Sequence, residues 1–208
     1  MADPRARYNL GITLFNRKDY EAAIRELEIF AREHLMREEN PSARRTIGNA
    51  YALQRKWPEA AVQYRLVLAM LPSDQPTKRL LIDTLTNQGI AMGSAGRFAD
   101  AVSSFRQALE LDPAHVVARQ NLATALYDSG DIPGALAEAR EAAALDPGHA
   151  PSYDLIGRAL ALQGRYDEAI AELQQALRLS PNDREIRDDL TRVLAASSRP
   201  IGRRQSVK

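Results

Sequence analysis

The sequence of 208 residues contains no cysteine, only one tryptophan and no long apolar run. Without cysteine the chain has no disulfide framework and no thiolate metal site, which suits a reducing compartment. No run of about 18 apolar residues exists that would span a bilayer as a helix. The residues after Met1 contain no apolar segment typical of a secretion signal. We therefore expect a cytoplasmic protein that does not insert into a membrane.

The net charge of +1 is unevenly distributed along the chain. It is +4 over residues 1–81, −7 over residues 82–198 and +4 over residues 199–208. The acidic stretch argues against a nucleic-acid partner bound along the whole chain. Only four of the 28 cationic residues are lysine, a bias typical of GC-rich bacterial genomes, so we expect a bacterial source.

Residues 82–183 divide into three consecutive segments of 34 residues. The segments end alike (LELDPAH, AALDPGH and LRLSPND) and carry a glycine at the same internal place: Gly96, Gly130 and Gly164. A fixed period of this length indicates a repeat protein, in which each unit packs on its neighbours. Such arrays present extended surfaces, so the period favours binding over catalysis.

Each segment is predicted to form two helices joined by a short turn. In residues 116–149, Leu122, Ala123 and Leu126 mark one face of a first helix. Gly130 is expected to end that helix in the left-handed conformation, which glycine adopts at little cost. Asp131 is then placed to cap the second helix.

The crowded positions of these segments resemble the tetratricopeptide repeat family. That family's pattern has a small residue at position 8, alanines at positions 20 and 27, and a proline at position 32. The matching residues here are Gly89, Ala101, Ala108 and Pro113, then Ala123, Ala135, Ala142 and Pro147, then Gly157, Ala169, Ala176 and Pro181. Small residues let paired helices approach closely, so a larger residue is expected to overpack the contact.

The resemblance implies an all-α fold, namely a right-handed α-solenoid of five helix–turn–helix repeats followed by a capping helix. A single solenoid would cover residues 1–197. Its repeats fall at about 4–40, 41–81, 82–115, 116–149 and 150–183, with the capping helix at 184–197. Residues 198–208 are predicted to form a basic, disordered tail.

The first two repeats are less regular than the others. Lys18 and Lys56 are assigned to the place of the inner glycine. Additional residues around 32–40 and 75–81 suit helices lengthened by about one and two turns.

The capping helix is expected to turn Leu190 and Leu194 inward. Arg187, Asp188 and Arg192 would then form its polar outer face.

In the tetratricopeptide repeat family the first helices of the repeats line a concave groove. The resemblance therefore implies a protein–protein interaction module that holds a peptide or a helix of a partner there. The predicted groove residues are Tyr8, Ile12, Phe15, Arg45, Asn49, Asn87, Asn121, Tyr127 and Arg158. Leu53 and Leu162 also occupy groove positions. An alternative for Ile12 and Phe15 is that they only pack inside an end repeat.

Some members of the family bind a carboxylate terminus through cations and asparagines in the groove. Arg45, Asn49 and Asn87 fit part of that pattern, but Val117 and Asn121 stand at the other two cation positions. Neither supplies a charged donor, so the carboxylate clamp is not expected.

No constellation for catalysis or for a cofactor is recognised in the sequence. His115 and His149 recur one repeat apart in turns, which is too far for a shared zinc ion, so both are interpreted as turn residues, as is His34. No phosphate-binding loop or nucleophile elbow is present. We predict that the protein is not an enzyme and needs no cofactor or metal.

Two alternatives remain open from the sequence. The basic N-terminal and acidic C-terminal parts could pair between copies, which would give a self-associating scaffold that dissociates in salt. The chain could also be the repeat region of a larger enzyme or secretion component. For the interaction module itself we expect a monomer or a weak homo-oligomer.

Overall fold

A computed structural model of the chain describes residues 4–33 and 40–198. Within these ranges the backbone forms eleven α-helices and no strand, which confirms the predicted all-α repeat fold. The predicted tail, apart from Ser198, and His34 lie outside the described residues. None of the helices in the described ranges is both long and apolar enough to cross a bilayer.

The chain divides into two compact units, and unit 1 comprises residues 1–94 and 107–113. Its complete helices are α1 (Pro4–Asn16), α2 (Tyr20–Glu33), α3 (Asn40–Leu53), α4 (Trp57–Met70) and α5 (Gln75–Ser94). The core between α2 and α3 contains the fully buried side chains of Leu27, Phe30 and Ile47. Tyr64 and Val67 of α4 are also fully buried. The first helices α1, α3 and α5 alternate with the second helices α2 and α4.

Unit 2 comprises residues 95–106 and 114–208. Helix α6 (Phe98–Leu111) begins in this unit, and its last residues belong to unit 1. The complete helices of unit 2 are α7 (Val116–Asp128), α8 (Ile132–Leu145), α9 (Ala150–Leu162), α10 (Tyr166–Leu179) and α11 (Arg184–Ser197). Leu136, Leu155, Leu160, Leu173 and Val193 form much of its core. Apart from its leucines this core is largely alanine, as the sequence composition indicates.

The turns between paired helices contain one residue with a positive φ angle. Gly96, Gly130 and Gly164 have φ values of 72°, 90° and 75°, which confirms the conformation expected for Gly130. The equivalent residues in the first two repeats are Lys18, at 65°, and Arg55, at 58°. The assignment of Lys56 to this place was therefore wrong by one residue. Position 15 of the repeat that starts at residue 41 is residue 55, and the backbone reverses there.

Glycine at position 8 permits close contact between paired helices. A Cβ atom on Gly11 would lie 2.5 Å from Leu27 Cγ, and one on Gly48 would lie 2.6 Å from Tyr64 Cε1. A Cβ atom on Gly157 would lie 2.6 Å from a side-chain carbon of α10 and 3.0 Å from the carbonyl oxygen of Ala169. These distances support the expectation that larger residues overpack the contact.

Side chains in the turns cap the following helices. The Gly134 N–H donates to Asp131 Oδ1 over 3.0 Å, as the sequence predicts for α8. The Ala118 N–H donates to His115 Nδ1 over 3.1 Å, and His149 Nδ1 lies 2.8 Å from Ser152 Oγ. Both histidines are half-buried turn residues at the start of a first helix.

Two irregular parts of the sequence have clear structural consequences. The additional residues at 75–81 extend α5 at its N-terminus, which gives it 20 residues against 13 or 14 in the other helices. In α11, Leu190 packs on the core as expected, but Leu194 is 43% exposed. The inward orientation of Leu194 was wrong: the equivalent residues Leu126 and Leu160 are buried in repeats that have a second helix. The described residues contain no such helix after α11.

Candidate functional site

The predicted groove residues lie on first helices, and each unit carries its own set. In unit 1 they belong to α1, α3 and α5, and in unit 2 to α7 and α9. The two sets therefore lie in separate compact units.

Unit 1 contains a cavity of about 350 Å³ that is lined mainly by apolar atoms. We call it the unit 1 pocket, and its lining residues are Phe15, Asn49, Ala52, Leu53, Tyr64 and Leu80. Two of these, Phe15 and Asn49, were predicted from the sequence as binding residues. The Phe15 ring lies 5.6 Å from the Tyr20 ring, which holds it at the end of α1.

Tyr64 fixes the polar wall of this pocket. Its hydroxyl donates to Asn49 Oδ1 over 2.7 Å. Burial, together with the negative charge of Asp83, raises the pKa of the Tyr64 hydroxyl, so the phenol stays protonated and remains a donor. The Asn49 amide is therefore oriented by α4, a partner that the sequence period does not reveal.

Tyr8 and Ile12 are not among the lining residues of the unit 1 pocket. Both are partly buried against the cluster that contains Phe30 and Ile47, and the Tyr8 ring lies 5.3 Å from the Phe30 ring. Substituting Tyr8 would therefore disturb packing as well as any contact with a partner.

The remaining predicted residues of unit 1 have contrasting surroundings. Arg45 forms an ion pair with Asp74, with 3.1 Å between Nη1 and Oδ2, and Asp74 also accepts the hydroxyl of Thr77. Arg45 thus holds the segment that leads into α5. Asn87 is exposed on α5.

Unit 2 contains a larger cavity of about 620 Å³, which we call the unit 2 pocket. Side chains of α7, α9 and α11 line it, among them Tyr127, Arg158, Leu162, Asp188, Asp189 and Arg192. Tyr127 and Arg158 were predicted from the sequence. The Arg158 guanidinium lies 4.7 Å from the centre of the Tyr127 ring, a cation–π contact between consecutive repeats.

Arg158 is shared between two carboxylates. It lies 3.6 Å from Asp154 Oδ2 and 3.7 Å from Asp189 Oδ2, and Asp189 also accepts a hydrogen bond from Arg192. Burial, followed by repulsion from Asp189, raises the pKa of Asp154 to about 6 despite the attraction of Arg158. Asp154 Oδ1 is buried and has no hydrogen-bond partner among the described residues. Arg158 therefore does not fully compensate the negative charge beneath the pocket.

Asn121 does not line either pocket. Its amide nitrogen donates to the Val117 carbonyl oxygen of its own helix over 2.9 Å. The neighbouring Gln120 instead connects two repeats, because its Oε1 accepts from Ser152 Oγ over 3.0 Å.

Sequence reasoning missed the contribution of α11 to the unit 2 pocket. It placed Asp188 and Arg192 on the outer face of the capping helix, but both line the pocket, as do Glu185 and Ala196. Continuing the repeat numbering from Arg184 puts these four residues at positions 2, 5, 9 and 13. Positions 5, 9 and 13 are those of Arg45, Asn49 and Leu53 in the second repeat. The period itself therefore held the signal, and treating α11 only as a cap concealed it.

Both pockets contain a strongly exposed leucine. Leu53 is 60% exposed and Leu162 is 63% exposed, the largest exposed fractions among the large apolar side chains of the described residues. Both stand at position 13, the last residue of a first helix. One lines the unit 1 pocket and the other lines the unit 2 pocket.

Comparison with known protein families identifies matches over more than half of the chain. A family model described as tetratricopeptide repeat matches residues 8–74, and a second model with the same description matches residues 94–158 and 126–188. A search of curated proteins finds no match.

Solved structures with the same fold are numerous. The YrrB structure, described as a TPR protein with an unusual peptide-binding site, is 20% identical over 93% of this chain and 91% of its own, with a TM-score of 0.58. The MamA crystal structure is 17% identical over 86% of this chain and 92% of its own, with a TM-score of 0.59. The first TPR domain of Spaghetti (RPAP3), bound to the HSP90 peptide SRMEEVD, is 23% identical over 55% of this chain and 91% of its own, with a TM-score of 0.54.

Proposed function

The chain belongs to the tetratricopeptide repeat family, and from this membership we propose that it holds a peptide segment or a helix of a partner protein on the face of its first helices. The repeats supply a framework for protein–protein interaction. The proposal assigns no chemical step and no cofactor to any residue.

The exposed leucines at position 13 carry this proposal. Leu53 and Leu162 leave most of their apolar surface in water, although each lines a cavity. Covering a leucine side chain completely contributes roughly 1.5–3 kcal/mol to association. An apolar side chain of a partner could enter a pocket and cover the exposed leucine there. Binding would gain this free energy with little desolvation of polar groups.

In unit 1 the proposed anchor is an apolar side chain. Phe15, Leu53 and Leu80 supply apolar walls, and the Asn49 amide at the edge is already oriented by Tyr64. Asn87, exposed on α5, is available to hydrogen-bond an extended peptide backbone. Tyr8 and Ile12 support the α1 wall from the core side.

In unit 2 the proposed contact is mixed in character. Tyr127 and Leu162 provide apolar and aromatic area, whereas Arg158 and the carboxylates of α11 provide charge. Asn121 forms its hydrogen bond within α7, so no direct contact with a partner is proposed for it.

The HSP90 peptide bound by the RPAP3 domain contains acidic residues, and we do not propose an equivalent ligand for this chain. Arg45, the best placed cation of unit 1, is already paired with Asp74. A carboxylate ligand would have to displace that partner, and a replaced ion pair yields little net free energy.

Selection from a displayed random-peptide library tests the proposal. Peptides that bind the unmodified chain should lose binding to the variants Leu53→Ser or Leu162→Ser. Loss of a leucine contact is expected to weaken binding by about tenfold or more, because roughly 1.4 kcal/mol corresponds to a factor of ten.

Leu66→Ser and Leu145→Ser are the matched controls. Leu66 and Leu145 are 39% and 43% exposed, and both lie on second helices, one in each unit. Unchanged binding by these variants would confine recognition to the first helices. Peptides that respond equally to all four substitutions, or only to the controls, would refute the proposed face.

A further inference from the structure

The lining of the unit 2 pocket is charged unequally. Glu185, Asp188 and Asp189 face only two cations, Arg158 and Arg192, and both of these interact with Asp189. Glu185 and Asp188 are exposed, and their carboxylates form no ion pair with any described residue. The rim of the pocket formed by α11 is therefore acidic and available to a cationic ligand.

A basic segment of the same chain follows this helix directly. Residues 199–208 (RPIGRRQSVK) contain four cationic residues and no acidic one. The last described residue, Ser198, is two residues beyond Ala196, which lines the pocket. The basic segment thus follows the end of α11 at which Ala196 lines the pocket.

We propose that residues 199–208 bind in the unit 2 pocket of their own chain and compete there with a partner. This inference rests on the proposed function in taking the pocket as part of the binding face. The inference adds that the pocket takes a basic occupant and that residues 199–208 of the same chain can be this occupant. These residues would then regulate the binding of a partner in unit 2.

The length and sequence of the segment match the pocket. An extended chain advances about 3.3 Å per residue and a helix about 1.5 Å, so five or six residues running back along α11 reach the level of Asp188 and Glu185. Arg203 and Arg204 are five and six residues after Ser198. They would therefore come level with the two available carboxylates, whose ion pairs with arginine are charge-assisted hydrogen bonds.

The apolar part of the segment also finds a counterpart. Ile201 comes before the arginine pair, and Val193 and Ala196 line the end of the pocket nearest to Ser198. Leu162, which is 63% exposed, adds apolar surface to the same cavity. Burial of Ile201 there would fix the direction in which the segment runs.

A spin label on the basic segment tests the proposal in the full chain. Because the chain contains no cysteine, Val207→Cys provides the sole attachment point. We expect the label to broaden the NMR signals of the amides of Leu162 and Asp188, and to leave those of Ala135 on α8 unaffected. At roughly 1 M salt the Debye length falls to about 3 Å, so the broadening should disappear.

Two charge variants locate the contact. Arg203→Ser/Arg204→Ser and, separately, Glu185→Gln/Asp188→Asn should each abolish most of the broadening. The matched control Glu141→Gln/Asp167→Asn removes the same charge from exposed positions of α8 and α10 and should retain it. Circular dichroism spectra of all variants should coincide, since the substituted carboxylates of α8, α10 and α11 are exposed.

Mixing separates binding within one chain from binding between chains. Isotope-labelled chain without a spin label is combined with spin-labelled chain that carries no isotope. Broadening in the mixture would show that the segment binds a second copy, and absence of broadening in every sample would show that it does not bind; either result overturns the proposal. The measurement needs no partner, so its outcome is independent of the peptide selection that tests the proposed function.

Discussion

We predict that Gly157→Ala destabilises the protein, although alanine is the better helix former. In the middle of a helix, alanine is favoured over glycine by about 0.8–1 kcal/mol. At this place, however, the new Cβ atom would lie 2.6 Å from Leu173 Cγ and 3.0 Å from the Ala169 carbonyl oxygen. Neither atom is the free end of a flexible side chain. Overpacking of this kind costs roughly 1–3 kcal/mol, so we expect a net loss of about 1–2 kcal/mol.

The neighbouring repeat shows which contact decides whether alanine at position 8 stabilises or destabilises the protein. There the equivalent pair is Ala123 on α7 and Ala139 on α8, both fully buried, and it tolerates alanine at position 8. Leu173→Ala should cost about 2–5 kcal/mol by leaving a cavity. Adding Gly157→Ala to that variant recreates the alanine pair, and should then gain up to about 1 kcal/mol from helix propensity. The coupling between the two substitutions is therefore expected to be about 2 kcal/mol.

Urea unfolding of the four proteins, followed by far-UV circular dichroism, measures this coupling. The comparison requires equal m values, because a change in m indicates that the array no longer unfolds as one cooperative unit. Ala123→Gly is a useful control, since it relieves no large side chain and loses only helix propensity and one buried methyl group. If Gly157→Ala is equally unfavourable with leucine and with alanine at position 173, the contact with Leu173 is not the cause and the reasoning fails.

Two further predictions concern the turns and the buried carboxylate. Lys18→Gly and Arg55→Gly should each stabilise the protein by about 0.5–1 kcal/mol in the same urea assay. The reason is that relief of the left-handed backbone strain exceeds the entropic cost of glycine. Lys56→Gly is the control and should not stabilise the protein. The pKa of Asp154 is raised to about 6 in the folded state, whereas about 3.9 is usual in an unfolded chain, so the unfolded state loses its proton first as the pH rises. Stability should therefore fall by up to about 2 kcal/mol between pH 4 and pH 6 relative to Asp154→Asn, and parallel pH profiles of the two proteins would contradict this.

The fold was predictable because it is encoded by spacing. The period of 34 residues, the glycines of the turns and the small residues at crowded positions all follow from helix geometry within one repeat. The errors arose where the period was applied incompletely. Arg55 was missed through a shift of one residue, and Leu194 was turned inward although no helix follows α11 among the described residues.

The candidate site was only partly predictable, since its details depend on side chains that meet between helices. The sequence identified Tyr127 and Arg158 separately, but not their stacking or the carboxylates that share the guanidinium. It identified Asn49 without its bond to Tyr64. Such pairings depend on rotamers and on superhelical geometry, which a one-dimensional pattern does not contain.

The close contacts at position 8 have a consequence for how repeats of this chain are compared. Glycine faces leucine or tyrosine across the helix pair at Gly11, Gly48 and Gly157, whereas alanine faces alanine at Ala123. In an alignment of the repeats, the residues at positions 8 and 24 therefore vary together. A consensus sequence that takes each position separately could combine alanine at position 8 with leucine at position 24. That combination occurs in none of the repeats named here, and it would clash. The helix pair is therefore the element to preserve in design, and repeats of this array should be exchanged as intact hairpins.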